Sequence, residues 1–452
     1  VNGRFAVNSV LETEDGAKVR IEGVFGFGGQ GEVYRVSVDG APWALKWYYP
    51  EMATQQQRII LEGLVARGVR DPRFLWPQHL VRDPGDRTGG FGYLMAVRPD
   101  NFADLPALFR RDEIVRPITP RVLLIVASNT AEAFRHLHLQ GIAYRDISWG
   151  NLFFDPRTGE VLVCDNDNAM VEGGQTGVLG TMDFMAPELV RREPGVDPTT
   201  RTDLHALAVL LFMLLMNHHP LEGAAAFRIP IMDDEAKLEL NGRHPVFIFD
   251  PADPSNRPVP GEQDMVVASW QATPPVLRGL FEQAFTAGLR DPDLRVPESQ
   301  WRDAFRDVHD SVVVCSNCHK ENLVEPGPNP PEVACWRCSQ TVGLPPRLEV
   351  ASGTGRVRTV RSIRLSQGAK VCSFHLQPDP ESYDFRDVVA EVVEHPNQNG
   401  ALGLTNKTTG EWTVHREDTH EAKPVPPGRG AALREGLLIE FGAGAEAVFR
   451  PR

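Results

Sequence analysis

An α+β chain built in three units is what this sequence predicts, on three observations. Strands come first and pair around a glycine-rich turn, helical periodicity fills the middle, and beyond two close cysteine pairs the pattern returns to short strands. The first unit opens with KVRIEGVFGFGGQGEVYRVSV and PWALKWYY, from about Val19 to Tyr48, a strand–turn–strand pattern that reads as an antiparallel sheet. From Arg121 to Leu139, Val122, Ile125, Val126, Asn129, Ala133 and Leu137 recur at helical spacing, and Leu204 to Met216 is an almost wholly apolar helix. A boundary falls after about Ser311, where the helix-like WRDAFRDVHD gives way to the first cysteine pair, and another at Gly343 to Arg347. From about Leu348, alternating runs such as RSIRLS, VCSFHL and GLLIEFG, broken by Gly, Pro and Asn, predict a small β-sandwich.

Composition narrows the function classes. The 452 residues are 42% apolar and 24% charged, ordinary globular chemistry, and 40 glycines with 37 prolines predict abundant turns. A net charge of −13 argues against a nucleic-acid partner. The longest apolar run, Ala206 to Met216, is too short for a membrane helix, and the opening VNGRFAVNSV does not read as an export signal. Four of the six cysteines form two C-x-x-C pairs, which points to metal and a reducing, cytoplasmic compartment. His136, His138, His218 and His219 form no evident ligand set and are expected at caps or on the surface.

The chemistry-bearing residues lie in the first unit. In Gly26-Phe27-Gly28-Gly29-Gln30-Gly31-Glu32-Val33, the missing side chains let backbone N–H groups approach phosphate oxygens, and a strand rather than a helix follows. That strand leads to Ala44-Leu45-Lys46, whose lysine can reach α- and β-phosphates if a carboxylate holds it; Glu62, in RIILEGLV, is the expected holder. Further on stand Tyr144-Arg145-Asp146-Ile147-Ser148-Trp149-Gly150-Asn151, then Val163-Cys164-Asp165-Asn166-Asp167, then Ala186-Pro187-Glu188.

The order and spacing of these five pieces resemble the eukaryotic-like (Hanks-type) protein kinase family, over roughly Val19 to Asp310. The resemblance implies a bilobal fold at 1–311, with an N-lobe to about 97, a C-lobe from about 98, and ATP between them. It places Gly26, Gly28 and Gly31 over the phosphates, Lys46 on them, and Glu62 as its ion-pair partner in a mobile helix. Val33 and Ala44 would roof the adenine, Phe153 would lie beneath it, Met95 would be the gatekeeper, and Ala96, Val97 and Arg98 the hinge. Asp146 would take the substrate hydroxyl's proton and orient it, while Asn151 and Asp165 would bind Mg2+ or Mn2+ through oxygen ligands. Glu188 would pair with Arg295, and Asp203 would anchor the catalytic loop. Thr181 matches a structural threonine of the substrate loop, and Thr176 is the candidate phosphosite, with Arg145 placed to receive its phosphate.

The sequence departs from the family pattern at three places. Asn166 and Asp167 stand where Phe and Gly are usual, Tyr144 replaces a common His, and Ser148 replaces a lysine that steadies the γ-phosphate. Two readings therefore stand side by side: a Ser/Thr protein kinase, and a nucleotide-binding pseudokinase that scaffolds partners.

Cys315-x-x-Cys318, sixteen residues, and Cys335-x-x-Cys338 form a four-cysteine zinc-ribbon pattern at 312–342 with a structural Zn2+; two disulfides are the alternative. Cys164 and Cys372 read as core thiols. The unit at 347–452 faintly resembles a forkhead-associated domain, but of its recognition residues only Arg361 and Asn406 stand as remnants, which favours a degenerate sandwich used for docking over a working phosphopeptide reader. The whole layout resembles soluble bacterial signalling or stress-response kinases, which implies a protein substrate and, as partners, a cognate phosphatase and a von Willebrand type A protein.

Overall fold

The computed structural model describes residues 3–69, 71–86, 89–171, 180–353, 358–394, 401–416, 422–442 and 444–451. Six antiparallel strands come first: β1 (Val10–Thr13), β2 (Lys18–Phe27), β3 (Gly31–Val38), β4 (Ala41–Tyr48), β5 (His79–Arg82) and β6 (Phe91–Met95). They close into a barrel in the order β1-β2-β3-β4-β6-β5, because Glu12 and Thr13 pair with Arg82 and Val81 and leave no open edge. Side chains alternate across β4. Leu45 and Trp47 point into the barrel with Val19, Ile21, Tyr34 and Val36. Ala44 and Tyr48, on the other face of the strand, join the larger core beneath, with Leu61 and Leu64 of helix α1 (Gln55–Arg67).

Helices build the second lobe, as the periodicity predicts. After the short α2 (Leu105–Arg110), α3 (Pro120–Leu139) packs against the helix Glu298–Asp310. Beyond α4 (Pro187–Val190), α5 (Thr200–Met216) is buried along almost its whole length, which is why it is apolar on every side. Its start is set by a capping box in which Thr199 and Thr202 satisfy each other's backbone N–H groups. The strands Leu152–Phe154 and Val161–Val163 pair antiparallel between the loop Tyr144–Asn151 and the residues that lead to Asp165.

The cysteine segment folds as two matching turns. The Cys315 N–H bonds the Lys320 carbonyl and the Cys335 N–H the Gln340 carbonyl, at 2.9 and 2.8 Å. Four residues after the first cysteine of each turn, His319 and Ser339 take the left-handed conformation, with φ of 57° and 60°.

The C-terminal residues form a six-stranded and a four-stranded sheet around one core, to which Leu348, Val350 and Ile439 contribute from the first and Val371, Val392 and Leu404 from the second. The connection after Cys372 rests on the helix Glu298–Asp310. His375 Nε2 lies 3.0 Å from Asp310 Oδ2, and the Tyr383 hydroxyl donates to Asp303 at 2.7 Å. Arg361 and Asn406 are not exposed reading residues. The Arg361 guanidinium is spent on the carbonyls of His375, Gln377 and Pro378, and the buried Asn406 amide bonds those of Gly410 and Val425. Among the described residues no helix is long and apolar enough to cross a membrane.

Candidate functional site

The site lies where the barrel meets the helical lobe. Gly28 N–H bonds the Gly31 carbonyl at 2.8 Å and closes the β2–β3 turn. The three glycines of the motif do different things. A Cβ on Gly26 would meet open space and one on Gly28 only ordinary contact, whereas one on Gly31 would stand 2.2 Å from the Trp47 carbonyl oxygen. Gly31 is therefore required by the close approach of β4, whereas Gly26 and Gly28 have room for a side chain. Val33 faces Lys46 across β3 and β4, and Ala44 faces Met95 across β4 and β6. Met95 is buried, Ala96 exposed and Val97 half-buried. The Arg98 guanidinium lies 4.3 Å from the centre of the Phe153 ring, so the segment after β6 touches the strand Leu152–Phe154.

Lys46 is buried, and its ammonium makes three bonds: 2.9 Å to Gln30 Oε1, 3.0 Å to Asp165 Oδ1 and 2.8 Å to Asp167 Oδ2. Burial opposes its charge, but Asp167 and then Asp165 more than compensate and hold the ammonium above its usual range. Glu62 is not its partner. Glu62 is exposed and pairs with Arg58 at 3.0 Å on the same helix. Helical phase explains the difference: Leu61 and Leu64 bury one face of α1, and at 3.6 residues per turn Glu62 points about 130° away from it. Gln57 shares the buried face, and its amide donates to the Asp167 carbonyl at 3.1 Å and to the Tyr48 hydroxyl at 3.3 Å.

Two left-handed residues shape the loops: Arg145, with φ of 75°, and Asp165, with φ of 53°. The first is held by Asp203 at the start of α5, whose carboxylate accepts from the N–H of Tyr144 at 2.6 Å and of Arg145 at 2.9 Å. Tyr144 is buried and its hydroxyl donates to the Cys164 carbonyl, tying this loop to the residue before Asp165. Asp146 accepts from Thr181 Oγ1 at 2.9 Å, and the Asn151 amide reaches the Asp146 carbonyl at 2.9 Å and its carboxylate at 3.3 Å. Burial raises the Asp146 pKa, while Thr181 and Asn151 act to lower it. The Cys164 N–H bonds the Asn151 carbonyl at 3.0 Å, which sets Asn151 beside Asp165.

The donor set suits a hard cation. Asp165 keeps 41% of its side chain exposed, and Asn151 spends its amide nitrogen on Asp146, so that its oxygen remains as a ligand. Asn166, at a place where an aromatic ring is usual, is buried, and its amide nitrogen donates to the Val163 carbonyl at 3.1 Å. Glu188 pairs with Arg295 at 2.8 Å. Thr176 lies outside the described residues.

Three expectations about histidine are overturned. His219 is buried, with its Nε2 2.8 Å from the Asp183 carbonyl. His138 is neither cap nor surface: it is buried between Asp203, 3.1 Å from its Nε2, and Glu298, bonded through Nδ1. Burial disfavours its charge, yet the bonds to Asp203 and Glu298 push its pKa up to about 9. His136 likewise contacts Asp71 and Glu132 at 2.9 and 2.8 Å. The partners Asp203, Glu298 and Asp71 are far from these histidines in sequence, beyond the reach of periodicity.

The four cysteines Cys315, Cys318, Cys335 and Cys338 are all unpaired by disulfide, and their ligand atoms lie within 4.8 Å of one another. Cys318 and Cys335 sulfurs are 3.5 Å apart and those of Cys315 and Cys338 3.7 Å. A tetrahedron with Zn–S bonds of about 2.3 Å has edges of about 3.8 Å, so the set fits zinc.

The family model described as the protein kinase domain matches residues 19–246. Among curated proteins, the chain is 24% identical over 223 residues to serine/threonine-protein kinase PkaB of Streptomyces coelicolor, covering 46% of this chain and 51% of that one. It is 27% identical over 286 residues to PknH of Mycobacterium tuberculosis, covering 60% and 42%, and 29% identical over 126 residues to PrkC of Bacillus subtilis, covering 27% and 19%. The chain thus spans about half or less of the length of these relatives.

Proposed function

The chain belongs to the protein kinase family, and from that premise we propose that it transfers the γ-phosphoryl group of ATP to a Ser or Thr hydroxyl of a protein. The observation that carries this reading is the grouping of Lys46 and Asp165 with Asn151 and Asp146, brought together from three stretches of chain. Lys46 lies 3.0 Å from Asp165, and Asn151 bonds Asp146. Phosphoryl transfer asks chiefly for in-line positioning and charge stabilisation. Gly26 and Gly28 leave backbone free to approach the phosphates, and Lys46 supplies fixed positive charge beside them. Asp146 orients the attacking hydroxyl and accepts its proton, a task suited to a carboxylate whose pKa burial has raised. Val33, Ala44, Met95, Ala96, Val97 and Phe153 enclose the adenine. Asn151 and Asp165 hold a magnesium ion, which neutralises phosphate charge when bound.

The remaining parts have supporting roles in this reading. Cys315, Cys318, Cys335 and Cys338 bind a structural zinc, whose binding energy folds a segment too short to build a core of its own. The two C-terminal sheets form a sandwich of forkhead-associated type that serves as a docking body, since Arg361 and Asn406 are occupied within it. The setting is a soluble bacterial signalling circuit with a protein substrate, a cognate phosphatase and a von Willebrand type A partner, and Thr176 is the phosphosite of the activation segment.

Incubation of the full chain with labelled ATP and magnesium or manganese tests the reading. Incorporation on Ser or Thr is expected, falling by about 10² to 10⁴ in Asp146→Ala. No incorporation by the wild type, or equal incorporation by the variant, would refute it and leave a nucleotide-binding scaffold.

A further inference from the structure

Lys46 needs a fixed negative partner, and the helix that the family pattern assigns to that task does not provide one. Glu62 faces away and the inward residue of α1, Gln57, is neutral. The charge is found instead two residues beyond Asp165. We propose that Asp167 is the positioning residue for Lys46, so that the counter-charge resides on the loop carrying the cation ligand rather than on helix α1.

Four observations support this. Asp167 has no exposed side-chain surface, and its Oδ2 is the shortest contact of the lysine, at 2.8 Å. The same oxygen accepts from the Tyr48 hydroxyl, and Tyr48 stands two residues after Lys46 on the same face of β4. The Asp167 carbonyl accepts from Gln57, so α1 is fastened to the backbone of the residue that holds the charge. Finally, the turn Asn166–Asn168 begins at the left-handed Asp165, so Asp165 and Asp167 can share Lys46. Asp165 is 41% exposed and is the group a cation would claim; Asp167 is sealed off and keeps its grip on the lysine when that happens. A glutamine on α1 and an aspartate at 167 are thus complementary, one negative charge having been moved from helix to loop. The lysine's position then depends on the Asn166–Asn168 turn, and displacement of α1 does not by itself remove its partner.

The proposal rests on the kinase reading, and its test separates the two. The full chain is compared as wild type, Asp167→Asn, Glu62→Gln, Asp167→Gly, and Asp167→Gly combined with Gln57→Glu, by ATP binding calorimetry and by steady-state kinetics. Asp167→Asn is expected to lower kcat/KM for ATP about ten- to a hundredfold, the scale of losing one preorganised electrostatic group. Glu62→Gln should stay within about twofold, as an exposed pair does. Restoring a carboxylate on α1 should recover at least half of the logarithmic loss seen in Asp167→Gly, which a merely structural role of Asp167 would not allow. Unchanged kinetics and affinity in Asp167→Asn, or a loss in Glu62→Gln instead, would overturn the proposal. If the wild type neither binds nor turns over ATP, the kinase reading fails, but the pairing is still decided by unfolding midpoints of Lys46→Met, Asp167→Asn and their double variant. Non-additive effects support the pair, and additive ones refute it.

Discussion

His138 offers a quantitative test of how the loop that carries Asp146 is held. Its ring joins three helices: it sits on α3, bonds Asp203 of α5, and bonds Glu298 at the start of the helix Glu298–Asp310. Asp203 in turn holds the N–H groups of Tyr144 and Arg145, so the loop that carries Asp146 rests on this cluster. The His138 pKa rises from 6.5 to about 9 on folding. At about 1.4 kcal/mol for each tenfold change in proton affinity, the charged ring contributes about 3 kcal/mol. The sign follows from linkage: a group that binds its proton more tightly when folded stabilises the fold in full below pH 6.5, and the contribution is lost as pH rises through about 9. For a domain of this size, about 3 kcal/mol corresponds to roughly 5 to 10 °C in Tm. The assay is denaturant and thermal unfolding of wild type and His138→Gln at pH 6, 7.5 and 10. Glutamine keeps a hydrogen bond but no charge. The wild type should be more stable at pH 6 and 7.5, with the gap closing toward pH 10, because the imidazole is then as neutral as the amide that replaces it. A gap independent of pH would mean that the ring acts by shape alone, and the electrostatic argument would be wrong.

Two further outcomes follow from the geometry. Gly31→Ala should cost about 1 to 3 kcal/mol, because the new methyl group meets the Trp47 carbonyl, whereas Gly28→Ala should leave unfolding of the nucleotide-free protein unchanged. Equal stability of the two variants would contradict the strand spacing described. The purified chain should contain one zinc per molecule by elemental analysis, and a strong chelator should release it and lower the unfolding midpoint; a metal-free chain with two disulfides would refute the assignment of the four sulfurs.

The residues of the site are legible in sequence where local spacing specifies them. Lys46 is placed by its strand and by the glycines before it, Asp146 and Asn151 by a five-residue step along one loop, and the cysteine quartet by two tight turns that need only four residues each. Alternation along β4 and continuous hydrophobicity in α5 likewise announce their elements, because a strand face and a buried helix leave a periodic trace. Glu62 shows where such reading ends. A search for a carboxylate in α1 that ignores helical phase arrives at Glu62, although Leu61 and Leu64 define the buried face and single out Gln57. The pattern Asp165-Asn166-Asp167 holds the complementary signal, an acidic residue where glycine is usual.

Chemistry confined to a few consecutive residues was therefore determined by the chain itself: which groups are cations, acids and thiols, and in what order they appear. The folded lobes alone decided which of them meet. Lys46 and Asp167 are brought to 2.8 Å across 121 positions of sequence, and His138 reaches Asp203 across 65. Such pairs form because burial leaves a charge no water to turn to, so the nearest opposite charge in space becomes its partner, and nearness in space is a property of packing.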